Sequence, residues 1–275
     1  MPSQAVTLLF ADRPLVDFSA IARRAEEISG EEFDYSNRGN HQKSFQIFHK
    51  NHQVGYNDGK VFPSSTAFFI SEKETGAGNY RSVIEQSWSC KNAEYLIGSG
   101  KHCILMTEMM ADGLEPQVRL SLFNDMLQSA IEIAKPQALI FHHSQQVIDP
   151  AKYLECCDLE PIMRPGAINV RFFNIADSDG EMLMDTCGME EIGLHDFQCH
   201  FQHLNPDDVL RVLFNTAVYI AENGAVIESG QTVAGIDANS RWSCQFEESL
   251  IEPKRVLLDL NPGFECAAGR TTQLN

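Results

Sequence analysis

The residues with the most capacity for chemistry in this chain cluster near position 200: His195, Cys199, His200 and His203, with Cys187 and the pair His142-His143 as further donors. Imidazole nitrogen and thiolate sulfur are the ligand types of a zinc site. The spacing argues the other way, because successive residues of a strand point to opposite faces, so Cys199 and His200 cannot share one ion. Neither a His-Glu-x-x-His nor a Cys-x-x-Cys pattern occurs, so these residues are expected to be structural and no metal is expected. The same side chains could supply a nucleophile and a base, which makes a hydrolase or transferase acting through Cys199, His200 and His203 the alternative function.

Other motifs fall short of a site. No Gly-x-Ser-x-Gly elbow and no Walker loop are present. Gly98-Ser99-Gly100 begins like a dinucleotide fingerprint, but Cys103 stands at the third glycine, and the segment follows a helix instead of opening one. Asp177-Ser178-Asp179-Gly180-Glu181 resembles half a calcium loop, yet Gly188 takes the place of the bidentate glutamate. An acidic hairpin turn is the expected structure. No catalytic residue and no cofactor are therefore expected.

The elements that would position these residues read as alternating strands and helices. Ala5–Phe10 is apolar enough for a buried strand, and Asp17 can cap a helix carrying Phe18, Ile21, Ala25 and Ile28 on one face and ending at Gly30. Strands follow at Ser44–Phe48, around Val54 to Phe62 with an Asn57-Asp58-Gly59 turn, and at Thr66–Ile70. Short helices near Tyr80–Trp88 and Asn92–Ile97 precede a strand at His102–Met106. A long helix at Pro116–Ala134, a strand at Ala138–Phe141 and a short helix at Pro150–Leu154 complete the first half. After the turn-rich stretch Pro161–Gly166, strands are expected at Asn169–Phe173, Phe197–Phe201, Ala225–Glu228 and Arg255–Leu260. Asn205, Pro206, Asp207 and Asp208 open a helix that stops at Asn223-Gly224. The order implies an α+β fold of two fused sheet-and-helix halves with antiparallel or mixed sheets, at residues 1–160 and 167–262, and a loose tail at 263–275.

Composition narrows the function classes. With 275 residues, 43% of them hydrophobic, the chain can bury a core without disulfides or metal. Its eight scattered cysteines suit reduced thiols. No apolar run reaches the ~18 residues of a membrane span, and Met1-Pro2-Ser3-Gln4 does not begin a signal peptide, so a cytoplasmic protein with no membrane partner is expected. A formal charge of −17 argues against nucleic acid as a partner and favours a basic protein. The excess is concentrated: residues 155–208 hold twelve acids against Arg164 and Arg171, whereas residues 1–154 hold 18 acids against 14 bases.

Thr186-Cys187-Gly188, Gly193, Asp196 and Gln198, then Asn215, Ala217, Tyr219 and Gly224, and finally Val226, Gly230, Thr232 and Gly235 carry a family resemblance. In them the chain resembles a bacterial family of unknown function with the C-terminal signature T-x-G, G-x-x-E-x-E, N-x-A-x-Y-x-x-x-x-G and G-x-T. The similarity extends upstream through Ser87-Trp88 and residues 102–157. Where the family often has two glutamates, this chain has Asp196 and Gln198. Gly224, Gly230 and Gly235 fit a helix stop and tight turns with positive φ. The resemblance implies an association with toxin and immunity gene neighbourhoods. With the acidic middle, it leads to the expectation of a non-enzymatic immunity protein that occludes a basic cognate toxin. Its partner-binding carboxylates would be Asp177, Asp179, Glu190, Glu191, Asp196, Asp207 and Asp208.

Overall fold

The computed structural model describes residues 3–35, 44–71, 77–237 and 239–269. The chain forms two compact units, Met1–Ala167 and Ile168–Asn275. Each is built on its own sheet with helices against it, so the fold class is α+β.

In the first unit β1 (Ala5–Phe10) is central because it is apolar on both faces. It pairs antiparallel with β5 (His102–Met109) and β6 (Ala138–Phe141). β2 (Phe33–Tyr35), β3 (Ser44–Gly55) and β4 (Val61–Ser71) extend the sheet on one side and β7 (Gln146–Ile148) ends the other, giving the antiparallel order β2-β3-β4-β5-β1-β6-β7. Strand alternation divides the apolar residues. Val6, Leu8 and Phe10 share a core with α1 (Phe18–Ser29) and α4 (Pro116–Ala134). Leu9, Cys103, Ala138 and Ile140 face Ala93 and Ile97 of α3 (Ala93–Ser99), with α2 (Arg81–Glu85) beside it. The helix limits follow local chemistry: the Asp17 carboxylate accepts from the Ala20 N–H at 3.0 Å, and Gly30 ends α1 at φ 72°. The short α5 (Pro150–Leu154) is capped by Asp149.

The second unit has the mixed order β11-β12-β13-β10-β9-β8, from β8 (Asn169–Asn174), β9 (Met182–Cys187), β10 (Phe197–Phe201), β11 (Thr232–Ala234), β12 (Arg241–Glu248) and β13 (Val256–Asn261). Among the described residues only β10 and β13 run parallel. Its α-helix among the described residues, α6 (Pro206–Asn223), starts where Asn205 accepts from the Asp207 N–H at 3.0 Å, and lies against β8, β9 and β10. Val209, Leu213, Ala217 and Ile220 form its buried stripe. Leu213 is fully buried, so Leu213→Ala is expected to lower stability by about 2–5 kcal/mol in urea denaturation, the usual cost of such a cavity. A loss under about 1 kcal/mol would mean that the site collapses around the missing atoms.

Two expectations are corrected. Ala225–Glu228 is not a strand: its Val226 is exposed and the segment forms an irregular connection after α6. The residues after Pro262 are not loose as far as they are described. Gln202 N–H donates to Cys266 O at 2.8 Å, Ala268 N–H donates to His200 O at 3.0 Å, and Ala268 is buried. Residues 270–275 lie outside the described residues.

Candidate functional site

The residues first suspected of chemistry do not converge. Cys199 is fully buried opposite Met184, while His200, on the other face of β10, stands opposite Leu183 with Nε2 3.1 Å from the Glu181 carboxylate but out of line for a hydrogen bond. His203 is exposed at φ 61°, and His195 is exposed with its ring edge-on to Phe246 at 4.7 Å. Burial pushes the Cys187 thiol well above its usual range, the opposite of an activated nucleophile. His142 and His143 belong to the first unit, where they bond the Thr7 hydroxyl at 2.8 Å and the Ala5 backbone at 3.2 Å. Among the described residues no group of three or more His, Cys, Asp or Glu is placed to hold a metal ion.

Two other constellations do converge, both in the second unit. The first is a buried ionic cluster. Arg171 clasps Asp185 with both arms of its guanidinium, at 2.9 and 2.5 Å. Arg255 reaches Asp185 at 2.9 Å, Asp196 at 3.1 Å and the Thr186 carbonyl at 2.6 Å. Asp196 also accepts from the Thr186 hydroxyl at 2.8 Å, which in turn accepts from the Phe197 N–H at 2.8 Å. The Gln198 carboxamide bridges Asp259 and the Leu250 N–H. Thr186, Asp196 and Gln198, which carry the first half of the family resemblance, thus tie strands together in the interior.

The second constellation is a groove of about 730 Å³. One wall is the stripe Asp208, Arg211, Val212, Asn215, Thr216 and Tyr219 of α6, one or two residues per turn. The other is the run 231–236 through β11, with Val226 and Ile227 adding apolar surface. Asn215, Tyr219, Val226, Thr232 and Gly235, from the second half of the resemblance, line this groove together. Gly235 is there for space rather than for positive φ: a Cβ would stand 2.6 Å from the Trp242 indole nitrogen and 2.4 Å from the Ser240 hydroxyl. Gly235→Ala is expected to displace the buried indole at about 1–3 kcal/mol, read as a lower urea midpoint and red-shifted emission. Unchanged emission would show that Trp242 does not pack on this turn.

Residues 185–261 match the model of a family described as Domain of unknown function (DUF4261). The match lies inside the second unit and takes in the groove and, apart from Arg171, the ionic cluster. No curated protein and no solved structure matches the chain.

The proposed partner-binding carboxylates separate by exposure. Asp177, Asp179, Glu190 and Asp207 are exposed. Asp208 is paired with Arg211 on the wall of the groove. Glu191 is partly buried, and desolvation, reinforced by Asp196 and Glu190, pushes its carboxyl up to about 7, so it carries only part of a charge near neutrality. Asp196 is corrected: it is 2% exposed and held by Arg255 and Thr186, so it stabilises the fold and offers no surface. Charge density along the sequence pointed to the acidic turns. It carried no sign of the groove, one wall of which is the uncharged run 231–236. No described helix is long and apolar enough to cross a membrane.

Proposed function

We propose that the chain is a non-enzymatic binding protein that engages a basic protein partner, as an immunity protein does when it occludes a cognate toxin. The observation that carries this reading is the lining of the groove. Among the described residues its lining contains no histidine or cysteine, and the one carboxylate there, Asp208, is paired with Arg211. Such a surface can bind and orient through apolar and hydrogen-bonding contacts, but it has no group poised to attack or to move a proton. The exposed carboxylates Asp177, Asp179, Glu190 and Asp207 supply the long-range field that steers a cationic partner, and the resemblance stated above supplies the toxin and immunity context.

Co-expression with the product of an adjacent gene, followed by gel filtration, tests the partner; co-elution with a basic protein and loss of that protein's toxicity are expected. For the charge contribution, Asp177, Asp179, Glu190 and Asp207 are changed together to lysine. Rim charges act mainly on encounter, so association should slow about tenfold or more at low salt and lose most of its salt dependence, while dissociation changes little. Lysine at position 207 also opposes the α6 dipole by about 0.3–1 kcal/mol, so circular dichroism accompanies the kinetics. An unaltered association rate with the fold intact would reduce these carboxylates to a solvated surface.

A further inference from the structure

The groove runs along an open sheet edge. Six consecutive residues, 231–236, line it, whereas a cavity over one face of a strand would be lined by every second residue. Among the described residues β11 is the last strand of its sheet, paired on one side only with β12, in the register Thr232↔Ser243, Val233↔Trp242 and Ala234↔Arg241. Gln231 O accepts from the Cys244 N–H at 2.9 Å and the Gly235 N–H donates to Ser240 O at 3.0 Å. Antiparallel pairs bond inward at every second residue, so Val233 also faces β12, and the N–H and C=O of Thr232 and Ala234 point to the open side. Folded proteins normally blunt such an edge with charge, proline or a covering element. The run Gln-Thr-Val-Ala-Gly-Ile has no charge and no proline, and Thr232 and Ala234 are exposed.

We infer that β11 takes up an extended segment of a partner protein as an added strand, laid in the groove between β11 and α6. The inference rests on the binding reading above and names the form that the partner presents. The dimensions agree: Asp208 to Tyr219 spans about 16 Å of helix, and residues 231 to 236 span about 16 Å of strand, so roughly five residues fit. Main-chain bonds to Thr232 and Ala234 supply affinity. Tyr219, Val226 and Ile227 receive alternate side chains of the segment. Charge fixes the ends. Glu222, Glu228 and Asp237 are exposed where the lining stops, and the cation on the wall, Arg211, is held by Asp208. The segment is therefore β-forming and neutral at its centre, with lysine or arginine at its ends.

The test uses the full chain and a capped Lys-Val-Thr-Val-Thr-Val-Lys peptide. Comparators are the same peptide N-methylated at alternate amides, one set per peptide, and a version with glutamate at both ends. Titration calorimetry should show the parent peptide binding, one N-methylated form at least tenfold weaker, and the glutamate form weaker still at low salt. Hydrogen exchange should show the Thr232 and Ala234 amides gaining protection. Ala234→Pro removes an outward donor without breaking the ladder to β12 and should weaken binding at least tenfold, while Ala234→Val should leave it within about twofold. If the proline variant does not fold, the N-methylated peptides decide alone.

Absence of binding at millimolar peptide, equal binding by both N-methylated forms, or binding without protection at Thr232 and Ala234 would overturn the inference. So would a dimer of the chain that Ala234→Pro dissolves, because the edge would then belong to a second copy. If the lysine substitutions slow association with the co-eluting partner and Ala234→Pro does not alter its affinity, the binding reading stands and the added strand fails. If no basic partner binds the chain, while the peptide binds with protection at Thr232 and Ala234, the added strand stands and the partner reading fails.

Discussion

Replacing Arg255 with methionine is expected to destabilise the second unit by about 3–5 kcal/mol, the usual consequence of removing one member of a buried ion pair. Arg255 is 8% exposed and serves Asp185, Asp196 and the Thr186 carbonyl at once. Without it Asp185 keeps Arg171, but Asp196 keeps only the Thr186 hydroxyl and the Met189 N–H as donors. Burial already holds the Asp196 carboxyl above its ordinary range despite the opposing pull of Arg255. Removing that pull raises it further, so the variant should recover stability as pH falls and Asp196 takes up a proton. Urea denaturation at neutral and mildly acidic pH measures this. Arg255→Met with Asp196→Asn should be less damaging than the single change, because no charge is then stranded. A single variant within about 1 kcal/mol of the parent at neutral pH would show that the cluster is solvated.

The second large effect is acid unfolding of the first unit. Burial, with a smaller contribution from His52, lowers His49 to about 4, and burial lowers His143 to about 4. Both are neutral when folded near pH 7, and in the unfolded chain they titrate near 6.5. Between those limits the unfolded state binds more protons, so stability falls as pH drops from about 6.5 to about 4 and the loss then levels off. Each histidine contributes up to about 3 kcal/mol to that fall, a large part of the 5–15 kcal/mol typical of a domain. His49 Nδ1 has no hydrogen-bond partner among the described residues, and its Nε2 lies 3.0 Å from the Thr66 hydroxyl. His49→Gln retains a neutral polar group there and should remove about half of the slope. An unchanged pH profile would place the acid sensitivity elsewhere. Glu191 works in the opposite sense in the second unit: its raised carboxyl stabilises the fold as pH falls from about 7 to about 4.5.

The helices were legible because their signals are local. Asp17 and Gly30, Pro116, Asp149-Pro150, and Asn205-Pro206 with Gly224 each bound a helix at the residues that their capping chemistry indicates. Strands with a strong apolar run, such as Ala138–Phe141 and Phe197–Phe201, were equally plain. β2 and β7 are three residues each, too short for a period to show. β9 carries Asp185 and Thr186, polar residues that look out of place in a buried strand until Arg171 and Arg255 are seen beside them. Val226 and Ile227 have strand character but line the groove instead of joining a sheet. The groove itself was visible only as separate residues of a resemblance. Asn215 and Tyr219 belong to a helix, Thr232 and Gly235 to a hairpin, and no spacing rule says that the two meet.

The parallel pairing of β10 with β13 joins strands whose residues are made some sixty positions apart, which implies an order of assembly. Asp185 and Asp196 emerge 70 and 59 residues before Arg255, the cation that they share. At about 5–20 residues per second on the ribosome, they spend several seconds without it. Asp185 has Arg171 by then, but the hydrated Asp196 carboxylate opposes collapse of this end of the sheet until Arg255 arrives, since burying it uncompensated is costly. β8, β9, β10 and α6 are therefore expected to pack loosely until β13 arrives to close the sheet and bring Arg255 to Asp196. Nascent chains ending before residue 255 should remain open to protease throughout the second unit, whereas chains that extend past β13 gain protection in a single transition.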